Sequence, residues 1–166
     1  MSSRTNAKAN PGPKEPRYVP WRGELIAKLA LARAGLLVQD PPPPQPFDLL
    51  AATPDGFYFL VEVKAYSSMH RGHRPVSDRS RNPYRWLVET SVLRAAREVN
   101  LPVVLFVIDA DREVGHYARL DRLPPPSRDE RTRFVSLAAD RDLSPEALAA
   151  LVSELRQDWA VSRRPA

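Results

Sequence analysis

The sequence predicts an α/β (α+β) domain in which helices flank a central mixed β-sheet. Three observations predict this class. A strand hairpin is predicted on either side of a turn at 53–56, and an apolar, β-branched strand is predicted at 103–108. Apolar residues at helical spacing occur before and after them, from residue 21 and again from residue 144. Elements alternating in this way bury their apolar faces when the helices cover a shared sheet.

The chain begins with a polar, proline-rich segment at 1–20, which we interpret as a disordered basic arm. Apolar residues at helical spacing from Trp21 predict a helix, which we expect to stop near Gly35. A short strand at 36–38 and a stiff polyproline-like loop at 41–46 are predicted to follow.

A β-hairpin is predicted next. The strand 47–52 leads into a turn at 53–56, where proline fixes one dihedral angle and glycine allows a positive φ. In the second strand, 57–66, side chains alternate between two faces. One face is wholly apolar and belongs in the core, whereas the other carries Glu62 and Lys64.

The second half of the chain contains further predicted elements. Asn82 and Pro83 are typical of a helix start, and apolar spacing predicts that this helix spans 84–99. The remaining predicted elements are strands at 103–108, 114–120 and 134–137 and a helix from 144 to 159.

The length of 166 residues suits one domain, predicted at 21–160 between the arm and a flexible tail at 161–166. Cysteine is absent, which excludes disulfides, cysteine-bound zinc and a thiol nucleophile. The amino-terminal residues lack the apolar stretch of a secretory signal, and no apolar run is long enough to cross a membrane. We therefore expect a cytoplasmic protein with no membrane partner.

Positive charge is concentrated in the first half. Residues 1–85 carry 13 Lys and Arg against 7 Asp and Glu, a net +6, whereas residues 86–166 carry 12 against 13, a net −1. Nucleic acid is the natural partner of such a surface, and a generally basic, soluble surface is the alternative. The predicted phosphate contacts, with a solvated loop as their alternative, are Arg71, Arg74, Arg79, Arg81 and Arg85.

Two carboxylates and a lysine form the most informative pattern. Asp48 falls opposite Val61 or Glu62, depending on the turn, and a three-residue loop or a bulge at Gly56 would pair Asp48 with Glu62. Neighbouring carboxylates repel unless a cation lies between them, and hard oxygen ligands suit Mg²⁺ or Mn²⁺. On the same face, Lys64 could position a metal-bound water and stabilise charge on a phosphate. The alternative is a surface ion pair with a solvated lysine.

Two further observations bear on this pattern. The 25 cationic residues comprise 21 Arg and only 4 Lys. A lysine inside a predicted strand of this arginine-rich chain therefore suggests a role that an arginine side chain could not perform. Glu24, in the first turn of the first predicted helix, is either a further acidic residue of the site or a complement to the helix dipole that pairs with Lys28.

Together these residues resemble the PD-(D/E)xK, restriction-endonuclease-like nuclease superfamily. They are similar to Holliday-junction-resolvase-like members and to small bacterial nuclease-like domains. Phe47 stands where the superfamily name expects proline, and Pro46 lies one step earlier. The segments that carry the resemblance are 21–24, 35–38, 47–50 and 59–64.

The resemblance implies metal binding at Asp48 and Glu62, with the Val63 carbonyl as a further ligand. It also implies a catalytic role for Lys64 and identifies Glu24 with the helix-borne acid of many members. The implied cofactor is Mg²⁺ or Mn²⁺ without a small-molecule cofactor, and the expected partner is nucleic acid, with DNA favoured over RNA. A resolvase-like member would act as a symmetric homodimer.

Three functions are compatible with these residues. The first is a metal-dependent nuclease that hydrolyses phosphodiester bonds in DNA. The second is a catalytically inactive nucleic-acid-binding or interaction module on the same fold, since the superfamily includes inactive members. The third is a different α/β domain in which Asp48 and Lys64 are surface charges.

Overall fold

The computed structural model describes residues 18–69 and 84–162. Its three helices are α1 (Tyr18–Arg33), α2 (Thr90–Glu98) and α3 (Pro145–Ser162) within these residues. The strands described are β1 (Leu37–Gln39), β2 (Leu49–Ala52), β3 (Tyr58–Tyr66), β4 (Tyr84–Glu89), β5 (Val103–Asp109), β6 (Val114–Arg119) and β7 (Thr132–Leu137).

Five of these strands form one mixed sheet in the order β1-β2-β3-β5-β6. Strands β3 and β5 are parallel, and the other neighbouring pairs are antiparallel. A parallel pair needs a crossover connection, and α2 lies in the segment that joins β3 to β5. The predicted class, a mixed sheet flanked by helices, is confirmed, and so are the strands predicted at 103–108 and 114–120.

Two apolar layers cover the sheet. On one face, Leu31 of α1 and Leu151 of α3 pack in a cluster with Phe59 of β3. On the other face, Leu93 of α2 packs in a second cluster with Leu60 of β3 and with side chains of β4 and β7. Each of these fully buried side chains stabilises the fold by about 2 kcal/mol relative to its exposed state. Strand β3 therefore lies between the two layers, and its alternate side chains enter opposite ones.

The helix predicted at 84–99 is wrong in its first part, where the chain forms β4. Trp86 and Val88 are buried, whereas Leu87 between them is 48% exposed. This period of two fits a strand with one face on the core. Strand β4 pairs with β7 along its whole length, and this tertiary pairing overrides the helical spacing of the apolar residues. The helix itself begins only at Thr90.

The ends of the domain also differ from the prediction. Helix α1 begins at Tyr18, so the last three residues of the predicted arm are helical. Pro20 is compatible with this start, because the N–H groups of a first helical turn have no acceptor within the helix. Helix α3 extends to Ser162, into the predicted tail, and none of the described helices is long and apolar enough to cross a membrane. Predicted features at 1–17, 82–83 and 163–166 lie outside the described residues.

Candidate active site

The turn between β2 and β3 determines which side chains meet. The Thr53 N–H donates to the Phe57 carbonyl at 2.9 Å, which leaves a three-residue loop between them. Gly56 closes the loop with a φ of 88°, a left-handed conformation that glycine adopts without steric cost. The resulting register places Leu49 opposite Val61, as the three-residue alternative predicts.

The strand ladder changes at Asp48. The Asp48 N–H donates to the Val61 carbonyl at 3.1 Å, although Val61 is also the register partner of Leu49. Two residues facing one is typical of a β-bulge, which re-aims the side chain of the bulged strand. The Asp48 carboxylate turns towards β3, where its Oδ2 accepts the N–H of Val63 at 2.6 Å.

The backbone carbonyl of Val63 lies at the same edge of β3 as the Asp48 carboxylate. Strand β2 begins at Leu49, opposite Val61, so the β2–β3 ladder does not reach Val63, and the Asp48 carboxylate supplies the acceptor there. The N–H and C=O of a strand residue point to the same edge. The Val63 carbonyl is therefore directed to the edge that the Asp48 carboxylate occupies.

Glu62 and Lys64 share the opposite face of β3 from Val63. The Lys64 Nζ donates to Glu62 Oε1 at 2.6 Å, and the Glu62 side chain is only 5% exposed against 38% for Lys64. Burial raises the pKa of Glu62 above its ordinary value; the Lys64 ammonium opposes this effect, and the negative charges of Asp48 and Glu89 add to it. A buried carboxylate with acidic neighbours is stabilised by any further cation that binds beside it.

Helix α1 approaches β3 closely at Gly23. A Cβ atom placed on Gly23 would lie 2.3 Å from the Cβ of Ala65, a separation that side chains cannot adopt. Glycine is therefore required for the two elements to pack at this distance. This role escaped the sequence analysis, and its signal is a glycine inside a helix, where alanine is favoured by about 1 kcal/mol.

The close approach at Gly23 brings the next residue, Glu24, near Asp48. Burial raises the pKa of Glu24, and the negative charge of Asp48 raises it further. Lys28, the alternative helical partner of Glu24, forms its ion pair with Asp40 at 3.1 Å, although its charge still lowers the pKa of Glu24. The structure thus brings Glu24 into the electrostatic neighbourhood of Asp48.

Glu89 is a second residue that the sequence analysis missed. It ends β4 immediately before α2, and its charge contributes to the raised pKa of Glu62. The helix predicted at 84–99 concealed this position, because Glu89 instead ends a strand that pairs with β7. An acidic residue at the junction of a strand and a helix is the only local signal that could have indicated it.

The donor set fits a hard divalent cation. Asp48 and Glu62 supply carboxylate oxygens, and the Val63 carbonyl can supply a third oxygen. In residues 18–69 and 84–162, no three His, Cys, Asp or Glu side chains cluster closely enough to hold a metal ion by themselves. Mg²⁺ usually takes only one or two carboxylates and completes its shell with water and phosphate, so two carboxylates and a carbonyl suffice.

Of the five arginines predicted to contact phosphate, the structure describes only Arg85. Arg85 lies on β4, and its guanidinium carbon is 5.1 Å from the ring centroid of Phe134. A cation–π contact of this kind contributes about 0.5–1 kcal/mol at an exposed position. The others, Arg71, Arg74, Arg79 and Arg81, lie outside the described residues.

Comparisons with known proteins give structural neighbours only. No protein-family model and no curated protein matches the chain. The Holliday junction resolvase Hjc of Archaeoglobus fulgidus is similar over 70% of this chain and 83% of its own, with 16% identity and a TM-score of 0.47. A bacterial homing endonuclease is similar over 90% of this chain and 99% of its own, with 15% identity and a TM-score of 0.49.

Identities and TM-scores at this level do not transfer an activity, so the side chains of this chain must themselves support a function. Fold and site together define an α/β domain in which β3 carries Glu62, the Val63 carbonyl and Lys64, and the Asp48 carboxylate bonds the N–H of Val63.

Proposed function

We propose that this chain is a metal-dependent nuclease that hydrolyses phosphodiester bonds in DNA through Asp48, Glu62 and Lys64. One observation carries the proposal: the Asp48 carboxylate accepts the Val63 N–H at 2.6 Å, and the residues on either side of Val63, Glu62 and Lys64, contact each other at 2.6 Å. The carboxylates of Asp48 and Glu62 are suited to a divalent cation, and the ammonium of Lys64 is suited to a phosphate. Residues 62–64 are consecutive in β3, and the β-bulge at Asp48 directs its carboxylate to them. This combination suits phosphoryl chemistry better than a surface ion pair, because Glu62 is buried.

Asp48, Glu62 and the carbonyl of Val63 would hold Mg²⁺ or Mn²⁺. Bound there, the cation would supply Lewis acidity at the phosphate and a water of lowered pKa. Asp48 uses one carboxylate oxygen for the Val63 N–H, which fixes the orientation of the other. Glu62 is held in place by Lys64 and by burial, so both carboxylates would be preorganised before substrate arrives.

Lys64 suits a role at the phosphate. Its side chain is 38% exposed while that of Glu62 is 5% exposed, so the ammonium extends from the buried carboxylate towards solvent. An ammonium has three N–H donors, and the contact with Glu62 uses one of them. The remaining donors can orient a water and stabilise negative charge that develops on a phosphate oxygen.

The charge distribution supports a polyanionic substrate. The first 85 residues, which contain Asp48, Glu62 and Lys64, carry a net +6. An excess of positive charge in the sequence attracts the phosphate backbone of DNA over distances of about 10 Å at 0.1 M salt. DNA binding is therefore expected to weaken steeply as salt concentration rises.

A cleavage panel tests the proposal. Supercoiled, linear duplex, single-stranded and four-way-junction DNA are each incubated with Mg²⁺, Mn²⁺ or EDTA. We expect the wild type to cut at least one substrate only with metal, and Lys64→Ala to lower the rate by about 10²-fold or more. Lys28→Ala is the matched control, since it removes the same charge from a partly exposed ion pair with Asp40 and should lower the rate far less than Lys64→Ala.

Two results would count against the proposal. DNA binding by the wild type without cleavage of any substrate, with either cation, would instead support the non-catalytic binding module. Equal losses in Lys64→Ala and Lys28→Ala would remove the special role of Lys64. Retained DNA binding by Asp48→Ala would not distinguish the two functions, because residues that hold a metal need not hold the DNA.

A further inference from the structure

Strands β4 and β7 form a two-stranded ribbon that packs on the five-stranded sheet. One face of the ribbon enters the apolar layer beneath it through four buried side chains, Trp86, Val88, Val135 and Leu137. Because side chains alternate along a strand, the residues between these four point away from the sheet. We name as the outer ribbon face the residues Arg85, Leu87, Glu89, Thr132, Phe134 and Ser136.

The outer ribbon face carries an exposed aromatic ring beside a cation. Phe134 lies directly opposite Leu87 in the pairing of the two strands, and both side chains are 48% exposed. The guanidinium carbon of Arg85 is 5.1 Å from the centroid of the Phe134 ring. The face therefore offers a flat apolar surface and the N–H donors of a guanidinium side by side.

This combination suits a nucleotide better than a protein partner. Two large apolar side chains form a much smaller apolar centre than an interface of roughly 800 Å² on each partner requires. A nucleobase, by contrast, is a single flat π-system that stacks on an aromatic ring, and its phosphate accepts hydrogen bonds from a guanidinium. Bases expose their flat surfaces only where they are unpaired, so the outer ribbon face fits a single strand rather than a duplex.

The ribbon lies beside the strand that carries the candidate active site. The rings of Tyr66 on β3 and Trp86 on β4 are in contact, with centroids 5.7 Å apart. Three residues beyond Trp86, β4 ends at Glu89, and the charge of Glu89 acts on Glu62 of β3. Leu87, the partner of Phe134, lies two residues or about 7 Å from Glu89. The exposed ring is therefore close to the end of the ribbon that is nearest to Glu62.

Charge on the outer ribbon face complements a polyanion. Arg85 lies near the start of β4, whereas the only acidic member of the face, Glu89, lies at the end of this strand beside the candidate active site. Residues 70–83, which precede β4 in the chain, contain four Arg and one Asp. A DNA strand is therefore attracted to the start of β4, from which the outer ribbon face leads past Phe134 towards Glu62.

We propose that the outer ribbon face binds unpaired nucleotides of a DNA strand, with a base stacked on Phe134 and a phosphate contacted by Arg85. This role rests on the proposed function in one respect, that the chain acts on DNA, and it specifies the substrate class as DNA with a single-stranded part beside the bond that is cut. Leu87 supports the ring from the neighbouring strand, as cross-strand apolar pairs do. Stacking of this kind tolerates any sequence, because every base has a π-face.

Binding to the full chain in EDTA, which prevents metal-dependent cleavage, tests this role. Fluorescence anisotropy compares three labelled ligands of about 16 nucleotides: oligothymidine, its duplex with oligoadenosine, and an abasic strand that has the phosphates but no bases. We expect the wild type to bind oligothymidine about tenfold more tightly than the abasic strand, and more tightly than the duplex.

Substitutions of Phe134 separate the ring from its apolar bulk. Phe134→Leu removes the ring and keeps an apolar partner for Leu87, whereas Phe134→Tyr keeps the ring. We expect Phe134→Leu to weaken binding of oligothymidine by about tenfold and to leave binding of the abasic strand unchanged. Phe134→Tyr is expected to bind both ligands as the wild type does. Tyr58→Leu is the matched control, because Tyr58 is a 44% exposed aromatic residue on β3, near the hairpin turn, and its loss should change neither affinity.

Arg85→Gln keeps the proposal testable if Phe134→Leu does not fold. Loss of one phosphate contact is expected to reduce the slope of log affinity against log salt concentration by about 0.7 for a single strand. Because this contact involves no base, we expect the same reduction with oligothymidine and with the abasic strand.

Several results would overturn the proposal. They are no binding of oligothymidine, equal binding of oligothymidine and the abasic strand, unchanged binding by Phe134→Leu, and equal losses in Phe134→Leu and Tyr58→Leu. Unchanged binding by Phe134→Leu is also the result expected if another part of the chain or a protein partner occupies this face. Cleavage by a protein whose DNA binding does not depend on Phe134 would overturn this role alone. Binding that depends on Phe134 without any cleavage would count against the nuclease alone.

Discussion

The Oδ2 atom of Asp48 accepts the peptide N–H of Val63 at 2.6 Å. This bond joins the bulged end of β2 to β3 at the point where the strand ladder stops. It gives the Asp48 side chain a structural task and a defined orientation, and it lies one residue from both Glu62 and Lys64. Structural and electrostatic contributions of these residues can be separated by paired substitutions.

Substitution of Asp48 separates the hydrogen bond from the charge. Asp48→Asn keeps a side-chain oxygen for the Val63 N–H, whereas Asp48→Ala removes it. We expect Asp48→Ala to lower the free energy of unfolding by about 1–2 kcal/mol and Asp48→Asn to change it by less than about 0.5 kcal/mol. Both substitutions are expected to abolish metal-dependent cleavage. Urea unfolding in EDTA and the cleavage panel provide the measurements, and equal stability losses would argue against the hydrogen bond.

Substitution of Glu62 tests whether the site is maintained at a cost in stability. Glu62→Gln keeps the shape of a side chain that is 5% exposed and removes its buried charge, while Lys64 can reach water. We expect its free energy of unfolding in metal-free buffer at pH 7 to equal or exceed that of the wild type. The control Glu154→Gln weakens a contact with Arg119 at 3.1 Å and is expected to reduce stability by up to about 1 kcal/mol. A larger loss in Glu62→Gln than in Glu154→Gln would contradict the prediction.

Metal binding is expected to depend on pH through Glu62. The pKa of Glu62 in the folded protein lies above the ordinary value of 4.5. At a pH between 4.5 and this raised pKa, the folded state therefore binds a proton more tightly than the unfolded state. The resulting stability is fully present below pH 4.5 and is lost as pH rises through the raised pKa. Mg²⁺ competes with this proton, so its affinity is expected to fall as pH falls through the same value.

Thermal unfolding with and without Mg²⁺ at several pH values measures this dependence. At about 100 times the dissociation constant, bound metal stabilises the folded state by about 2.7 kcal/mol. We expect this stabilisation in the wild type near neutral pH and not in Glu62→Gln. A metal-dependent shift of equal size in both proteins would show that the cation binds elsewhere.

The contact between Gly23 and Ala65 predicts a compensating pair of substitutions. Gly23→Ala places a Cβ atom 2.3 Å from the Ala65 Cβ, so we expect a loss of about 1–3 kcal/mol in spite of the higher helix propensity of alanine. Ala65→Gly removes the opposing atom, and the double variant is expected to recover at least about 0.5 kcal/mol relative to the sum of the single changes. Urea unfolding of the four proteins measures this coupling. If the effects of the two single substitutions on the free energy of unfolding simply add, α1 can move away from β3 at no cost in stability, and the predicted coupling is absent.

Much of the fold follows from local periodicity. The alternation in β3 predicts that Glu62 and Lys64 share a face, because a strand repeats every two residues whatever its neighbours are. The continuous apolar run of β5 predicts a strand buried on both faces for the same local reason. The turn at 53–56 predicts the hairpin and restricts Asp48 to two partners.

The segment 84–89 shows where such reasoning fails. The apolar residues Trp86 and Val88 suit a strand, but together with residues further along the chain they also complete a helical stripe. Pairing with β7, more than forty residues later, decides between the two structures. Long-range hydrogen bonds of this kind leave no signal in the local pattern.

The sequence by itself therefore determined the class of fold, the hairpin, and the shared face of Glu62 and Lys64. The tertiary structure alone decided that Asp48 bonds the Val63 N–H, that α1 packs closely on β3 at Gly23, and that the charge of Glu89 acts on Glu62. The physical reason is that side-chain periodicity is a property of a short segment, whereas a bulge, a helix–strand distance and a strand pairing depend on contacts between residues far apart in the chain.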